Sequence, residues 1–368
     1  MIFNCDCCGR EFDSTEMTEI NRQIICENCR DVYYTQCSCC GSWIIRDYEY
    51  SYDEEFYCED CFNEQFCKCA DCSKVYPIDD MHLNHCDEYV CDDCFECNYF
   101  VCDGCDDIYC LDDEHSLDDE SYCESCFEYI LEDHGIHEYC YKPDPIFYHT
   151  NAEDGLRKDN LHVGIELEIQ GRDRFGFCDN IKRNYSNEKV YLKLDGSLSC
   201  GGIEIVSMPM TKKYIFQDKM WEDIFYMMEE FNMDNTNNCG LHFHLDRQYL
   251  DKNAISIIDY VVNTFSDYFE KIGGRPFNDY NGYYKKVDKS YSEWGKDVTN
   301  RYVAVNLENN STVELRFCKS TTDYNVFCER VKMIFALVRF SLTYEFKDVI
   351  TWSKRKFLIR FKKCLINV

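Results

Sequence analysis

Sixteen cysteines in the first part of the 368-residue chain occur as eight C-x2-C pairs. The pairs group into four units, with 17 or 18 residues between the two pairs of a unit and 7 between units. Two such pairs supply the tetrahedral four-cysteine shell of structural zinc. The sequence therefore predicts about four structural Zn2+ ions, with the ligands Cys5, Cys8, Cys26, Cys29, Cys37, Cys40, Cys58, Cys61, Cys69, Cys72, Cys91, Cys94, Cys102, Cys105, Cys123 and Cys126.

The four units form a tandem repeat with a period of 32 or 33 residues, at about 5–29, 37–61, 69–94 and 102–126. We expect a knuckle at the first pair, a hairpin in the spacer and a short helix at the second pair, as in treble-clef or LIM-like zinc fingers. Units this small bury little core, so zinc would supply most of the folding free energy, roughly 10–16 kcal/mol per site. The alternative is a disulfide framework, which the regular spacing disfavours.

Further potential ligands lie outside this scheme. His134-x2-His137-x2-Cys140 could form a partial metal site, and His82 or His85 could replace a ligand of the third unit. We interpret the unpaired cysteines as small buried residues or tolerated thiols. They are Cys7, Cys39, Cys67, Cys86, Cys97, Cys110 and Cys140.

A second group of reactive residues follows residue 160, where acids and imidazoles alternate with apolar residues. Side chains alternate along a strand, so Glu166 and Glu168 share one face, as do His242 and His244. Clustered carboxylates repel one another unless cations bind between them, and oxygen ligands favour Mg2+ or Mn2+. A solvated sheet face is the alternative. The residues expected on this face are Glu166, Glu168, Lys193, Asp195, Glu204, His242, His244, Glu314 and Arg316.

The elements that would position these residues are strands and amphipathic helices in irregular order. Alternation of period 2 predicts strands at 161–169, 202–207, 240–245, 301–306 and 311–317, and a strand that runs into a turn at 191–197. Helical periodicity predicts helices at 221–231, at 253–271 before Gly273-Gly274, and at 327–346. Without regular βαβ alternation, this order indicates an α+β domain with a mostly antiparallel sheet.

Charge and cysteine content divide the chain near residue 142. Residues 1–141 contain 23 of the 29 cysteines and have a net charge of −31, whereas residues 142–368 have a net charge of +1. We therefore expect a zinc-binding region at 1–141, a linker with two prolines at 142–160, and a second domain at 161–368.

The overall composition argues against several classes of protein. A net charge of −30 disfavours nucleic-acid binding, because phosphate contacts need an excess of Lys and Arg. The sequence has no run of about 18 apolar residues, which argues against a membrane span. The first residues carry no apolar signal core, which disfavours a secreted disulfide scaffold. We expect a cytoplasmic protein that binds neither nucleic acid nor membrane.

The polar motifs of the second region resemble, in order and rough spacing, those of the amidoligase family. That family belongs to the glutamine synthetase and glutamate–cysteine ligase superfamily of carboxylate–amine ligases. The resemblance covers about 160–346, and the segment 142–147 after zinc-finger repeats is similar to phage-encoded members, which implies a host cytoplasm. The motifs are Gly164-Ile165-Glu166-Leu167-Glu168, Lys193-x-Asp195-Gly196-Ser197, Glu204-x2-Ser207-x-Pro209, Gly240-x-His242-x-His244, Asn306 and Thr312-x-Glu314-x-Arg316.

The resemblance implies a glutamine-synthetase-like sheet and an ATP-dependent ligase. A carboxylate substrate would form an acyl phosphate, which the amine of a second substrate would attack. Asp195 would orient a metal ion or the amine, and Asn306 belongs to the same site. Lys193, Arg301 and Arg316 would neutralise charge on the phosphoryl group. Two or three Mg2+ ions would be held by Glu166, Glu168, Glu204, Glu314 and one of His242 or His244.

Other functions remain alternatives to this ligase. The chain could be a zinc-finger adaptor with an inactive ligase-like domain, a RING-like ubiquitin-type ligase, or an enzyme of other metal-dependent chemistry such as phosphohydrolysis. The acidic array could recruit a basic protein, peptide or polyamine as the amine substrate, or it could only keep a cysteine-rich region in solution. The sequence leaves the acid, the amine and the oligomeric state open.

Overall fold

The computed structural model describes residues 1–150, 160–185, 188–198, 201–277, 287, 289–297 and 302–366. The chain forms two compact units, Met1–Phe127 and Glu128–Val368. The sequence placed the boundary at 141/142, whereas in the structure residues 128–141 belong to the second unit. The reason is that strand β17 (Ile136–His137) in this segment pairs with the large sheet of that unit.

Each of the four cysteine repeats, called a zinc module from here on, consists of two short antiparallel hairpins and a helix. The strands that flank the first cysteine pair are β1 (Ile2–Asn4) with β2 (Glu11–Asp13), β5 (Tyr34–Gln36) with β6 (Trp43–Ile45), β9 (Phe66–Lys68) with β10 (Val75–Pro77), and β13 (Tyr99–Val101) with β14 (Ile108–Cys110). The hairpins that lead to the second pair are β3 (Met17–Ile20) with β4 (Gln23–Cys26), β7 (Tyr50–Tyr52) with β8 (Glu55–Tyr57), β11 (Met81–Leu83) with β12 (Tyr89–Cys91), and β15 (His115–Leu117) with β16 (Glu120–Tyr122). The helices are α1 (Glu27–Tyr33), α2 (Glu59–Gln65), α3 (Asp92–Asn98) and α4 (Glu124–His134).

The cysteines sit where these elements begin and turn. Cys26, Cys58 and Cys91 are the extended N-cap residues of the helices that follow them. A helix N-terminus favours negative charge, so these positions suit thiolates. The knuckle, hairpin and helix were predicted from the sequence, whereas the strand pair that flanks each knuckle was not.

The second unit is built on one eight-stranded sheet in the order β17-β19-β20-β18-β22-β24-β23, with β21 paired to β18. Among the named strands of the described residues, the pairings are antiparallel except that of β17 with β19, so the α+β class with a mostly antiparallel sheet is confirmed. The remaining strands are β18 (His162–Gln170), β19 (Val190–Lys193), β20 (Gly202–Ser207), β21 (Met210–Thr211), β22 (Gly240–Asp246), β23 (Val305–Asn306) and β24 (Thr312–Lys319).

The helix expected at 253–271 is two helices, because the backbone leaves helical geometry at Phe265. The second of them ends where predicted, since Gly274 adopts φ 81° in the left-handed region. The helices of this unit are α5 (Arg174–Asn184), α6 (Lys212–Gln217), α7 (Met220–Glu230), α8 (Lys252–Thr264), α9 (Ser266–Gly273), α10 (Tyr324–Thr343), α11 (Phe346–Val349) and α12 (Lys354–Ile366).

The large sheet has one apolar and one polar face. Ile165, Leu167 and Phe243 have no exposed surface, and the ring of Phe317 lies 5.4 Å from that of Phe269 in α9. Because residues alternate along each strand, the acids and imidazoles between these apolar residues lie on the opposite face. None of the helices in the described ranges is both long and apolar enough to cross a lipid bilayer.

Candidate functional site

Each module of the first unit brings its four paired cysteines together, with ligand sulfurs within 4.8 Å of one another. Adjacent sulfurs lie 4.0 Å apart in Cys8 and Cys26, and 3.8 Å apart in Cys40 and Cys58 and in Cys72 and Cys91. Sulfurs about 2.3 Å from a tetrahedral Zn2+ are about 3.8 Å from each other. Disulfide-bonded sulfurs are only about 2.05 Å apart. The four tetrads therefore fit about four structural zinc ions rather than disulfides.

Backbone hydrogen bonds favour the thiolate form of the first cysteine in each module. Burial raises the pKa of Cys5, but backbone amides, led by that of Cys26, outweigh burial and lower the pKa to about 6. The same balance lowers the pKa of Cys69 to about 6 and that of Cys102 to about 7. Burial and the neighbouring thiols raise the pKa of Cys126, the last ligand of its module, to about 12. Metal binding would displace the protons of the cysteines whose pKa is raised in this way.

The other cysteines of this region are not buried, contrary to one of our two interpretations. Across residues 1–150, where every residue is described, His82 Nε2 lies 2.8 Å from Asp92 Oδ1 and His134 Nδ1 lies 2.8 Å from Asp179 Oδ1. These histidines therefore have carboxylate partners, and the third tetrad is complete without a histidine. The exposed thiols are Cys7, Cys39, Cys86, Cys97 and Cys140, and the half-buried ones are Cys67 and Cys110.

The polar face of the large sheet lines a cleft with a volume of about 380 Å3. All nine residues expected on that face line the cleft, together with Asn306. Arg301, the remaining predicted site residue, lies outside the described residues. The lining residues are Tyr139, Glu166, Glu168, Lys193, Asp195, Ser197, Glu204, His242, His244, Tyr302, Asn306, Glu308, Asn309, Glu314 and Arg316.

Strand register explains why residues so distant in sequence meet here. The paired positions are Glu166 with His242, Glu168 with Glu204, Lys193 with Glu204, His244 with Glu314, and Asn306 with Glu314. Residues opposite each other on one face of antiparallel strands lie within side-chain contact. The polar residues thus form a continuous row from β19 to β23.

Glu166 lies at the centre of this row. Its Oε1 lies 3.0 Å from His244 Nε2, and its Oε2 lies 3.4 Å from His242 Nδ1. Burial raises the pKa of the Glu166 carboxyl, but the two imidazoles outweigh burial and hold the pKa well below its usual value. Ligand atoms of Glu166, His242 and Glu314 lie within 4.8 Å of one another, so these residues could hold a metal ion.

On one side of this centre, Asn306 Nδ2 donates a 2.7 Å hydrogen bond to Glu314, whose other oxygen contacts the guanidinium of Arg316. Burial raises the pKa of Glu314, but His244 and Arg316 together lower it. A β-bulge between β22 and β24 lies here, where the register shifts between Leu241 and Phe243. Bulges redirect side chains, and this one lies beside the pairing of His244 with Glu314.

On the other side, Lys193 Nζ lies 3.3 Å from Glu204 Oε2, and both side chains are largely buried. Burial and the negative charge of Glu166 raise the pKa of Glu204 well above its usual value. Glu168 accepts a hydrogen bond from the backbone amide of Gly240. A Cβ at Gly240 would collide with the imidazole of His242, so the glycine of the Gly240-x-His242 motif makes room for that ring.

Sequence reasoning missed four lining residues, Tyr139, Tyr302, Glu308 and Asn309. Glu308 follows Asn306 with strand-like spacing, which could have indicated its face. Tyr139 was assigned to the zinc region, yet its ring lies 5.3 Å from Lys193 Nζ. No sequence signal places Tyr139 beside the sheet.

Comparison with known proteins does not identify a family for this chain. No protein-family model matches it, and no curated protein matches it at a significant level. The functional assignment therefore rests on the motifs and on the geometry of the two kinds of site.

Proposed function

We propose that the second unit is an ATP-dependent carboxylate–amine ligase of the amidoligase type, joined to an array of zinc modules. The observation that carries this proposal is the meeting of Glu166, His242 and Glu314 within 4.8 Å on the floor of the cleft. These residues come from three neighbouring strands and belong to three of the motifs that resemble the family. Their convergence is what a shared cation site requires.

The donor set of the cleft fits hard divalent cations. Glu168, Glu204 and Glu314 are each less than 8 % exposed, and like charges at this burial repel one another strongly. Carboxylate oxygens are the preferred protein ligands of Mg2+ and Mn2+. Glu166, Glu168, Glu204 and Glu314, with His242 or His244, would hold two or three such ions. When bound, these cations would neutralise the triphosphate and polarise its γ-phosphoryl group.

Two cationic side chains lie on either side of the carboxylates. Lys193 pairs with Glu204, and Arg316 pairs with Glu314, which raises the pKa of both bases despite burial. Both would stay charged and would neutralise charge on the transferred phosphoryl group. The sequence contains no GxxxxGK[ST] phosphate loop, so phosphate binding would depend on these residues and the cations.

The reaction would proceed in two balanced steps. An oxygen of the substrate carboxylate attacks the γ-phosphorus, the bond from that phosphorus to the β,γ-bridging oxygen breaks, and ADP leaves. The amine nitrogen then attacks the acyl carbon, and phosphate leaves with the electrons of the C–O bond. Asp195 lies in the turn after β19, where its Oδ1 accepts a 2.7 Å hydrogen bond from Ser197 N. That fixed carboxylate would orient the amine and accept its proton.

The zinc array would serve recruitment. Its net charge of −31 would become more negative by about 2 at each filled four-cysteine site. Such a field attracts basic proteins, peptides or polyamines, which carry amines. If the array recruits the amine substrate, the KM for that substrate should rise with ionic strength, because salt screens exposed charges beyond about 8 Å. A KM for the amine substrate that does not change with salt concentration would show that the array does not recruit that substrate.

Hydroxylamine trapping tests the ligase proposal without knowledge of the amine. Hydroxylamine converts an acyl phosphate to a stable hydroxamate, so we expect one or more acids from a panel to give hydroxamate with ATP and Mg2+. Glu314→Gln and Glu166→Gln should lose this activity, because a neutral amide binds Mg2+ poorly. Glu329→Gln, at an exposed position of α10, is the matched control and should keep it. Native turnover in both cleft variants would contradict the proposal.

A further inference from the structure

A second cavity, with a volume of about 400 Å3, adjoins the carboxylate cleft. Five residues line both cavities, namely Tyr139, Glu166, Lys193, His244 and Asn309. A molecule in the second cavity would therefore reach the proposed cation ligand Glu166 directly. This volume is in the range of cavities that bind small molecules.

The lining of the second cavity differs from that of the cleft. Its wall includes the aromatic rings of Tyr141 and Tyr191, whose centroids lie 5.4 Å apart in an edge-to-face arrangement. Val206 and Met208 pack into the same apolar cluster, at 6 % and 4 % exposed. The cleft, by contrast, is lined mainly by charged side chains. The second cavity thus offers a largely apolar surface, with Lys142, His162 and Asp246 also in its lining, and it ends at the charged junction with the cleft.

The segment after β17 closes one side of this cavity. Pro143 and Pro145 both line it, and the proline ring fixes the backbone angle φ at each position. The ring of Tyr141 stacks on that of His137 in β17, with ring centroids 3.6 Å apart. This wall of the cavity therefore packs against a strand of the sheet.

We propose that the second cavity binds the apolar or aromatic body of the carboxylic-acid substrate, with the carboxylate directed to Lys193 at the junction. This inference rests on the proposed ligase function and names its substrate class. The adenine of ATP is a poorer occupant, because ribose and two phosphates separate the base from the γ-phosphate. The cavity instead adjoins Glu166, where the γ-phosphate and the carboxylate would meet.

Matched pairs of acids test the preference. Propionate and 3-phenylpropionate differ by one phenyl ring, as do alanine and phenylalanine. A phenyl ring is removed from water when it enters an apolar cavity, so kcat/KM for hydroxamate formation should be at least about ten-fold higher for the phenyl member of each pair. Equal values, or a preference for the smaller acids, would overturn the inference while leaving the ligase function intact.

A filling substitution tests the location. Ser311 lines the second cavity at an exposed position, so Ser311→Trp should fill its mouth without disturbing the core. We expect the ratio of kcat/KM for 3-phenylpropionate to that for propionate to fall at least about ten-fold. Asn310→Trp places the same ring on the neighbouring exposed residue, outside the lining, and should keep the wild-type ratio. An unchanged ratio in Ser311→Trp would overturn the inference.

Calorimetric titration of the full zinc-loaded chain with 3-phenylpropionate and Mg2+ separates this inference from the ligase proposal. Binding to wild type and to Asn310→Trp, but not to Ser311→Trp, supports the inference even if no acid yields hydroxamate. A second titration uses a non-hydrolysable ATP analogue. If Ser311→Trp weakens binding of that analogue and leaves binding of 3-phenylpropionate unchanged, the cavity holds the nucleotide and the inference is wrong.

Discussion

In the zinc modules many of the buried residues are the metal ligands, whereas in the second unit they are aliphatic and aromatic side chains. The third module, for example, buries only Cys69, Val90 and Cys91 in its central cluster. The second unit packs α8, α9, α10 and α12 around the apolar face of an eight-stranded sheet. One chain thus combines a region whose fold is expected to depend on metal with a region that has a sufficient core of its own.

The two regions also differ in the kind of cation they fit. Thiolates at tetrahedral spacing suit zinc held permanently, and all four positions around the ion are occupied by protein. Under the proposed function, the carboxylates of the cleft would bind harder ions that exchange with solvent and that also coordinate a substrate. The difference teaches that donor type and spacing can separate two kinds of metal-binding group in one chain, sulfur tetrads in one region and a carboxylate–imidazole cluster in the other.

The largest expected effect comes from removing zinc. A strong chelator should unfold Met1–Phe127, because each site supplies roughly 10–16 kcal/mol of folding free energy. The second unit should keep its melting transition, since its core does not depend on these sites. Limited proteolysis with mass spectrometry would locate the unfolded region, and calorimetry would follow the second unit. A metal-free first unit that resists protease would contradict the claim that this unit needs zinc to fold.

Removal of a single cysteine ligand should abolish zinc binding in its own module only. Cys94→Ser removes a ligand of the third tetrad and should lower the zinc content from four to three per chain. Cys97→Ser, one turn later on α3 and exposed, is the matched control and should keep all four ions. Metal analysis of both purified variants measures this. Loss of zinc in Cys97→Ser, or none in Cys94→Ser, would contradict the ligand assignment.

A core truncation should act on the second unit only. Phe243 is fully buried on β22, so Phe243→Ala should reduce the free energy of unfolding by about 3–5 kcal/mol. The zinc content should stay unchanged. Tyr226→Ala, at a position 69 % exposed, should change stability little. Denaturant titration followed by circular dichroism gives both values, and equal effects of the two substitutions would argue against the core described above.

The smallest effect concerns the end of α9. Gly274 has φ 81°, and a Cβ there would lie 2.7 Å from Arg330 Nη2, so Gly274→Ala should cost about 1–2 kcal/mol. Gly196 has open space around it, so Gly196→Ala should be close to neutral in stability. The melting temperature of the second unit checks both. A stabilised Gly274→Ala variant would show that this helix end is not constrained as described.

The features that the sequence predicted depend on short-range rules. The four tetrads follow from the spacing of the cysteines, and the polar face follows from alternation in segments such as Glu166 to Glu168. The features it missed depend on long-range packing. Alternation cannot reveal the bulge beside Phe243, because a bulge is a property of two paired strands. Tyr139 reaches the cleft only because β17 joins the sheet across a large sequence separation.

Element boundaries show the same division. The helix after Lys252 breaks at Phe265, where the backbone angles φ −107° and ψ 36° are not helical, although its apolar periodicity continues. The segment 191–197 was expected to be a strand that runs into a turn, and in the structure the strand ends at Lys193 and the turn holds Asp195 and Ser197. In both cases local sequence patterns predicted the type of element more accurately than the residue at which it ends.

The central claim is that the cleft activates a carboxylate as an acyl phosphate, and isotope transfer tests it most directly. The acid found by hydroxylamine trapping would be labelled with 18O in both carboxyl oxygens and turned over with unlabelled ATP in unlabelled water. Mass spectrometry of the released phosphate should show one 18O atom per phosphate, because the attacking carboxylate oxygen stays on phosphorus when the acyl carbon is released. Phosphate without 18O would show that the carboxylate does not attack the γ-phosphorus, and would contradict the ligase account.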